Sequence, residues 1–115
     1  MKVYAYDHCS TCKKALSYLQ STGRDFQVIP IREQPPTKAE LRTMLKVYEG
    51  KLAKLFNTSG QDYRALGLKD RLPDLSDGQA LALLAGNGNL VKRPFVVLPE
   101  GGLVGFDQQA WDAAL

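Results

Sequence analysis

Cysteine and histidine are scarce in this sequence, with two of the first and one of the second. A secreted disulfide scaffold needs more cysteines at wider spacing, and a zinc site needs about four ligands, so the count excludes both within one chain. Long apolar runs are missing as well. Nothing approaches the roughly 20 residues of a membrane span, and Met1 to Asp7 has neither the apolar stretch nor the small-residue cleavage site of a secretory signal. The expected compartment is the cytoplasm, with no membrane partner. Strong charge of one sign is also absent. Fifteen basic residues stand against 12 acidic ones, a formal +3, and the longest basic runs are the pairs Lys13-Lys14 and Lys92-Arg93. Direct nucleic-acid binding normally needs a clustered basic patch, so this balance reads as solvation with a small reserve for local anion binding.

What remains is a 115-residue chain, enough for one domain with a real core and too short for two comfortable ones. Lys2 to Tyr6 reads as a strand, Asp7 to Ser10 as a turn, and Ser10 or Thr11 as the cap of a helix running to about Ser21. Phe26 to Ile31 supplies a second strand, so the opening is a βαβ unit with two parallel strands. Pro35-Pro36-Thr37 breaks the chain and starts a helix, with Thr37 and Glu40 spaced as a capping box ahead of Leu41, Met44, Leu45 and Tyr48. Leu52 to Leu68 is weakly helical with an interruption at Asn57 to Gly60, and a further helix begins near Ser76-Asp77 and stops at Gly86 to Gly88. Phe95 to Leu98 and Leu103 to Phe106 flank a four-residue loop as a hairpin, and a last helix from about Gln108 to Leu115 is expected to bury Trp111 and Leu115. The fold class is therefore α/β. The order predicts a mixed four-stranded sheet of thioredoxin-like type within a single domain 1–115, with a helical subdomain inserted at about 35–88.

Chemistry concentrates at Cys9-Ser10-Thr11-Cys12, the junction of first strand and first helix. Thiols at this spacing meet across one helical turn, where unpaired N–H groups and the positive helix end favour a thiolate. Cys9 is assigned as the attacking sulfur and Cys12, deeper in the helix, as the resolving one, with Lys13 and Lys14 as additional positive charge. Two thiols that merely pack together are the alternative, and the strand–turn–helix context weighs against it. Arg93-Pro94, ahead of the hairpin, is the second constellation. In thioredoxin-like folds a cis proline opening a strand lies beside the redox cysteines and shapes the substrate groove; a strand-initiating trans proline is the alternative. Arg93 is the candidate to hold an anionic substrate or pair with the thiolate. His8 reads as a turn residue ahead of a base, Asn57 to Gly60 as an ordinary loop ahead of an anion-binding nest, and Trp111, Phe106 and the tyrosines as core.

These segments, together with Leu55-Phe56-Asn57-Thr58-Ser59-Gly60, Tyr63 to Leu68, Lys92-Arg93-Pro94 and Val104-Gly105-Phe106, resemble the arsenate reductase-like (ArsC/Spx) family along nearly the whole chain. The resemblance implies a thioredoxin-like sheet with an inserted helical subdomain. It also implies a nucleophile at Cys9, an oxyanion-holding arginine at Arg93, and turnover without a bound cofactor, supported by an external thiol donor such as glutathione with glutaredoxin, or thioredoxin. Arsenate reductases of this type hold the oxyanion with three arginines. Here Asn57 and Phe106 stand at the other two positions, and Cys12 stands where those enzymes have no second cysteine. The second cysteine is shared with the Spx-type regulators, which sense disulfide stress and bind the RNA polymerase α-subunit. Two expectations follow: a thiol-dependent oxidoreductase acting on a disulfide or small oxyanion through a Cys9–Cys12 disulfide, or a redox-sensing regulator with the polymerase α-subunit as partner.

Overall fold

The alternating Lys2-Val3-Tyr4-Ala5 segment forms the strand about which the molecule is organised (β1, Lys2–Ala5). A computed structural model describes residues 1–115 and gives the order β1, α1 (Ser10–Thr22), β2 (Gln27–Pro30), α2 (Lys38–Val47), α3 (Gln61–Ala65), α4 (Leu68–Arg71), α5 (Asp77–Gly86), β3 (Phe95–Val97), β4 (Gly102–Val104) and α6 (Gln108–Ala114). Short 3-10 turns at Leu52–Lys54, Leu72–Asp74 and Gly88–Leu90 link the middle helices. The four strands make one mixed sheet in the order β2-β1-β3-β4. β1 and β2 are parallel, while β3 runs antiparallel to both β1 and β4. This is the thioredoxin-like α/β arrangement expected from the element order.

Each sheet face has its own core, because successive strand residues point to opposite sides. Tyr4, Ile29 and Phe95 pack with Leu41, Met44 and Leu45 of α2 and Ala80, Leu81 and Leu84 of α5. Val3, Ala5, Val96 and Leu103 pack with Cys12, Ala15 and Leu19 of α1 and Trp111 of α6. Both middle helices start where their sequences say. Thr37 and Ser76 each accept the N–H of the residue three on, and Glu40 and Gln79 return the bond to the cap backbone. Gly23, at φ 72°, ends α1 in the left-handed conformation that glycine adopts without steric cost.

Several boundaries differ from the sequence reading. β1 stops at Ala5 rather than Tyr6, because Tyr6 turns to receive the Cys9 N–H on its carbonyl at 3.1 Å. The cap of α1 is neither Ser10 nor Thr11 but Cys9, whose sulfur accepts the Cys12 N–H. The hairpin loop keeps its four residues but shifts to Leu98–Gly101, since Gly102 pairs with Val97 and lies where a side chain would meet Met44 and the Val96 carbonyl. The weakly helical middle is a 3-10 turn followed by α3 and α4, and it extends beyond Leu68 to Arg71. The last helix ends at Ala114, with Leu115 only half-buried.

Candidate active site

Sheet topology gathers the candidate residues at one end. β1 and β2 are parallel, so their C-terminal ends lie together, and Ile31 continues the ladder by donating to the Ala5 carbonyl at 3.0 Å. The Tyr4–Phe95 pairing, carried two residues further, sets Arg93 opposite Tyr6. The Gly105 N–H donates to the Pro94 carbonyl at 2.9 Å, so the chain leaving β4 reaches the same edge. The loop from Asn57 is tied in separately. The Asn57 N–H donates to Leu90 at 2.7 Å, and the Lys92 N–H to Leu55 at 2.8 Å. Four stretches distant in sequence thus meet where α1 begins.

A cleft of about 530 Å³ opens there, lined by Cys9, Thr11, Asn57, Ser59, Lys92, Arg93, Val104, Gly105, Phe106 and Asp107. Cys9 is half-buried and faces it, whereas Cys12 is 1% exposed and lies in the core beneath. Both cysteines are free thiols. The Cys12 N–H donates to the Cys9 sulfur at 3.4 Å, so this sulfur occupies the cap of a 13-residue helix, where backbone dipoles converge. Burial pushes the Cys12 thiol up to about 12; a backbone hydrogen bond with Tyr6 opposes this, the bond to Cys9 adds to it, and the Arg93 charge offsets part of it. Cys12 therefore remains protonated near neutrality.

Arg93 and Pro94 are joined by a cis peptide bond, as the thioredoxin-like reading expected. The Arg93 guanidinium sits 5.1 Å from the centre of the Tyr6 ring, and its Nη1 is buried with no hydrogen-bond partner. Asn57 and Phe106, the two positions where the family resemblance places further arginines, line the same cleft. The cleft wall is fixed from behind, since the Trp111 Nε1–H donates to the Gly105 carbonyl at 3.1 Å. Asp107 is the one carboxylate on the rim, and its side chain caps α6 by accepting the Gln109 N–H at 3.0 Å.

Other candidates fall outside this arrangement. Lys13 and Lys14 line a shallow recess with Tyr18 and Phe106 rather than the cleft that Cys9 faces. His8 is exposed and packs edge-on against Tyr6. The segment from Asn57 is no anion nest, because the N–H groups of Asn57, Thr58 and Gly60 all donate to carbonyls of this chain. Trp111 is core as expected, but Phe106 is only half-buried and serves the cleft as well. Tyr6 and Arg32 were not anticipated. The Arg32 Nη1–H donates to the Tyr6 hydroxyl at 2.9 Å. The signal for Arg32 was present in the parallel pairing, which places whatever follows β2 beside whatever follows β1.

No helix is long and apolar enough to cross a membrane. The model of the ArsC family matches residues 4–114. YusI of Bacillus subtilis is 41% identical over 95% of this chain and 92% of its own length. An arsenate reductase of Rhizobium meliloti is 29% identical over 86% of this chain and 69% of its own length. The global transcriptional regulator Spx of Streptococcus pyogenes is 26% identical over 87% and 73%. Among solved structures, an ArsC family related protein from Bacteroides fragilis superposes with a TM-score of 0.92 at 37% identity, covering 99% of this chain and 96% of that one. A helix-capping cysteine, an arginine at the neighbouring sheet edge and a match that spans almost every residue agree: the chain belongs to the ArsC family.

Proposed function

We propose that the protein is a thiol-dependent oxidoreductase that reduces disulfides through a Cys9–Cys12 disulfide. The carrying observation is the unequal environment of two adjacent sulfurs. Cys9 faces an open cleft at a helix cap, and Cys12 is buried behind it with its thiol held protonated. In the first step the Cys9 thiolate attacks one sulfur of the substrate disulfide; a Cys9–substrate bond forms, the substrate S–S bond breaks, and the departing thiolate takes a proton from solvent. In the second step the Cys12 thiol gives up its proton and attacks the Cys9 sulfur. That attack expels the second substrate thiol and leaves the Cys9–Cys12 disulfide. The substrate gains two electrons, which an external dithiol (glutathione with glutaredoxin, or thioredoxin) returns to the protein.

Arsenate is the weaker substrate in this reading. Oxyanion binding depends on converging charged donors, and Asn57 and Phe106 offer none of the positive charge that arginines would bring. The test is dithiol-dependent reduction of a model disulfide and of arsenate by wild type and Cys9→Ser. Disulfide turnover, feeble arsenate turnover and loss of both in the variant are expected. An undiminished variant, or no turnover of either substrate by wild type, would refute the proposal.

A second reading is favoured by the same cysteine pair together with the similarity to Spx. In it, the Cys9–Cys12 disulfide switches binding to the RNA polymerase α-subunit. Co-purification with that subunit in the oxidised and reduced states separates the two readings; absence of binding in both removes the regulator.

A further inference from the structure

A second cleft of about 290 Å³ adjoins the first, lined by Tyr6, Arg32, Gly60, Gln61, Asp62, Asn89 and Arg93. Arg93 borders both clefts. Two guanidinium groups converge on one aromatic ring here, with Arg32 at 4.9 Å and Arg93 at 5.1 Å from the centre of Tyr6. Bringing like charges together is unfavourable, and the ring's π-face offsets only part of it. Neither arginine has a carboxylate partner, since the molecule's one ion pair joins Lys2 to Glu40. Asp62 also lines the cleft; its Oδ2 accepts from the side-chain amides of Asn87 at 3.0 Å and Asn89 at 3.3 Å, and it makes no ion pair with either arginine. Arg93 makes no hydrogen bond within the chain, its buried Nη1 included, so its guanidinium is not committed to another partner.

We propose that Arg32 and Arg93, set against Tyr6, form a carboxylate subsite that selects small disulfides with carboxylate-bearing arms. One arm's carboxylate lies in the Arg32–Arg93 cleft while the disulfide reaches Cys9 in the adjoining one. Arg93, shared by both, fixes the register between charge and sulfur. A guanidinium pair suits this ligand because its planar fork of N–H groups matches a carboxylate's two oxygens. Arg32 is thus a specificity residue, and the cations lost at Asn57 and Phe106 are replaced by one that enters from the end of β2. The inference rests on the disulfide reductase reading, and the following experiment separates the two.

The kinetic arm compares dithiodipropionate, which carries two carboxylates, with the neutral hydroxyethyl disulfide. Wild type is expected to prefer the diacid, and Arg32→Gln to lower the ratio of the two kcat/KM values about tenfold, chiefly through KM. Raised salt lowers the wild-type ratio in the same sense. The binding arm needs no turnover: Cys9→Ser protein is titrated with dithiodipropionate while the Tyr6 ring and Arg32 side-chain NMR signals are followed. Saturable shifts that vanish in the Cys9→Ser, Arg32→Gln double variant support the subsite, even if wild type reduces neither disulfide and the reductase reading falls. Absence of shifts, or a selectivity ratio unmoved by Arg32→Gln, overturns the subsite and leaves the reductase reading intact.

Discussion

Burial divides the labour between two chemically identical side chains. Cys12 and Cys9 differ by three positions, yet one is in the core and the other on a cleft. Native protein treated with iodoacetamide is therefore expected to carry a single adduct, at Cys9. Cys12 becomes reactive only in denaturant, and peptide mass spectrometry distinguishes the sites; equal labelling of both in the native state contradicts the assignment. The raised Cys12 thiol also links to stability. Unfolded, it titrates at its ordinary 9.0, and folded, only at about 12. Between those values the unfolded chain has released a proton that the folded chain retains, so stability falls as pH rises through this window and is unaffected by Cys12 below it. Tyr4, raised by burial and by its hydrogen bond to Glu40, pulls in the same direction on the alkaline side. Glu40 has the opposite sign. Burial raises its carboxyl, but donors from Tyr4, Thr37 and Lys2 outweigh that and hold it below its usual value, so its contribution is lost as pH falls through the depressed value. Urea midpoints are expected to decline from about pH 9 upward, and less steeply in Cys12→Ala.

At the scale of elements, the site depends on how strands and loops are cross-tied rather than on any one segment. Gly88 shows this well. It begins the 3-10 turn after α5, and a Cβ built there would overlap the Ile31 carbonyl and crowd the Arg32 backbone. The close approach holds the end of β2 against the middle helices, with Arg32 at its tip. Gly88→Ala is expected to cost about 2–3 kcal/mol, as overpacking against rigid backbone does, and to displace Arg32. Urea denaturation reads the first effect, and the Tyr6 ring signals read the second. Much of the element layer was legible in sequence, because its determinants are local. Thr37 with Glu40 marked one helix start, and Ser76-Asp77 another. The cap of α1 falls one or two residues ahead of the expected Ser10 or Thr11, since a cysteine sulfur is a weaker acceptor than the neighbouring Ser or Thr hydroxyls and only the turn at Tyr6 selects it.

Across the whole molecule, one sheet with a core on each face holds the cleft between elements that share no local sequence. Trp111 joins stability to function at this scale. It fills the core on the α1 side, packs edge-on against Phe106 at 4.9 Å, and donates to the Gly105 carbonyl on the cleft wall. Trp111→Phe removes that donor and part of the packed volume, for an expected loss of about 2–4 kcal/mol by chemical denaturation. It should also lower disulfide turnover by freeing Gly105 and Phe106; full activity in a variant destabilised this much would show that the wall needs no such anchor.

The sequence by itself determined the Cys9–Cys12 spacing at a helix start, the βαβ opening, the hairpin and Arg93-Pro94, because each is written in local segments that act through neighbouring backbone. It could not place Arg32 beside Arg93 or set both guanidinium groups against the Tyr6 ring. Those relations are set by strand direction and register, which pair residues tens of positions apart; only the closed sheet decides which ends of the chain share an edge.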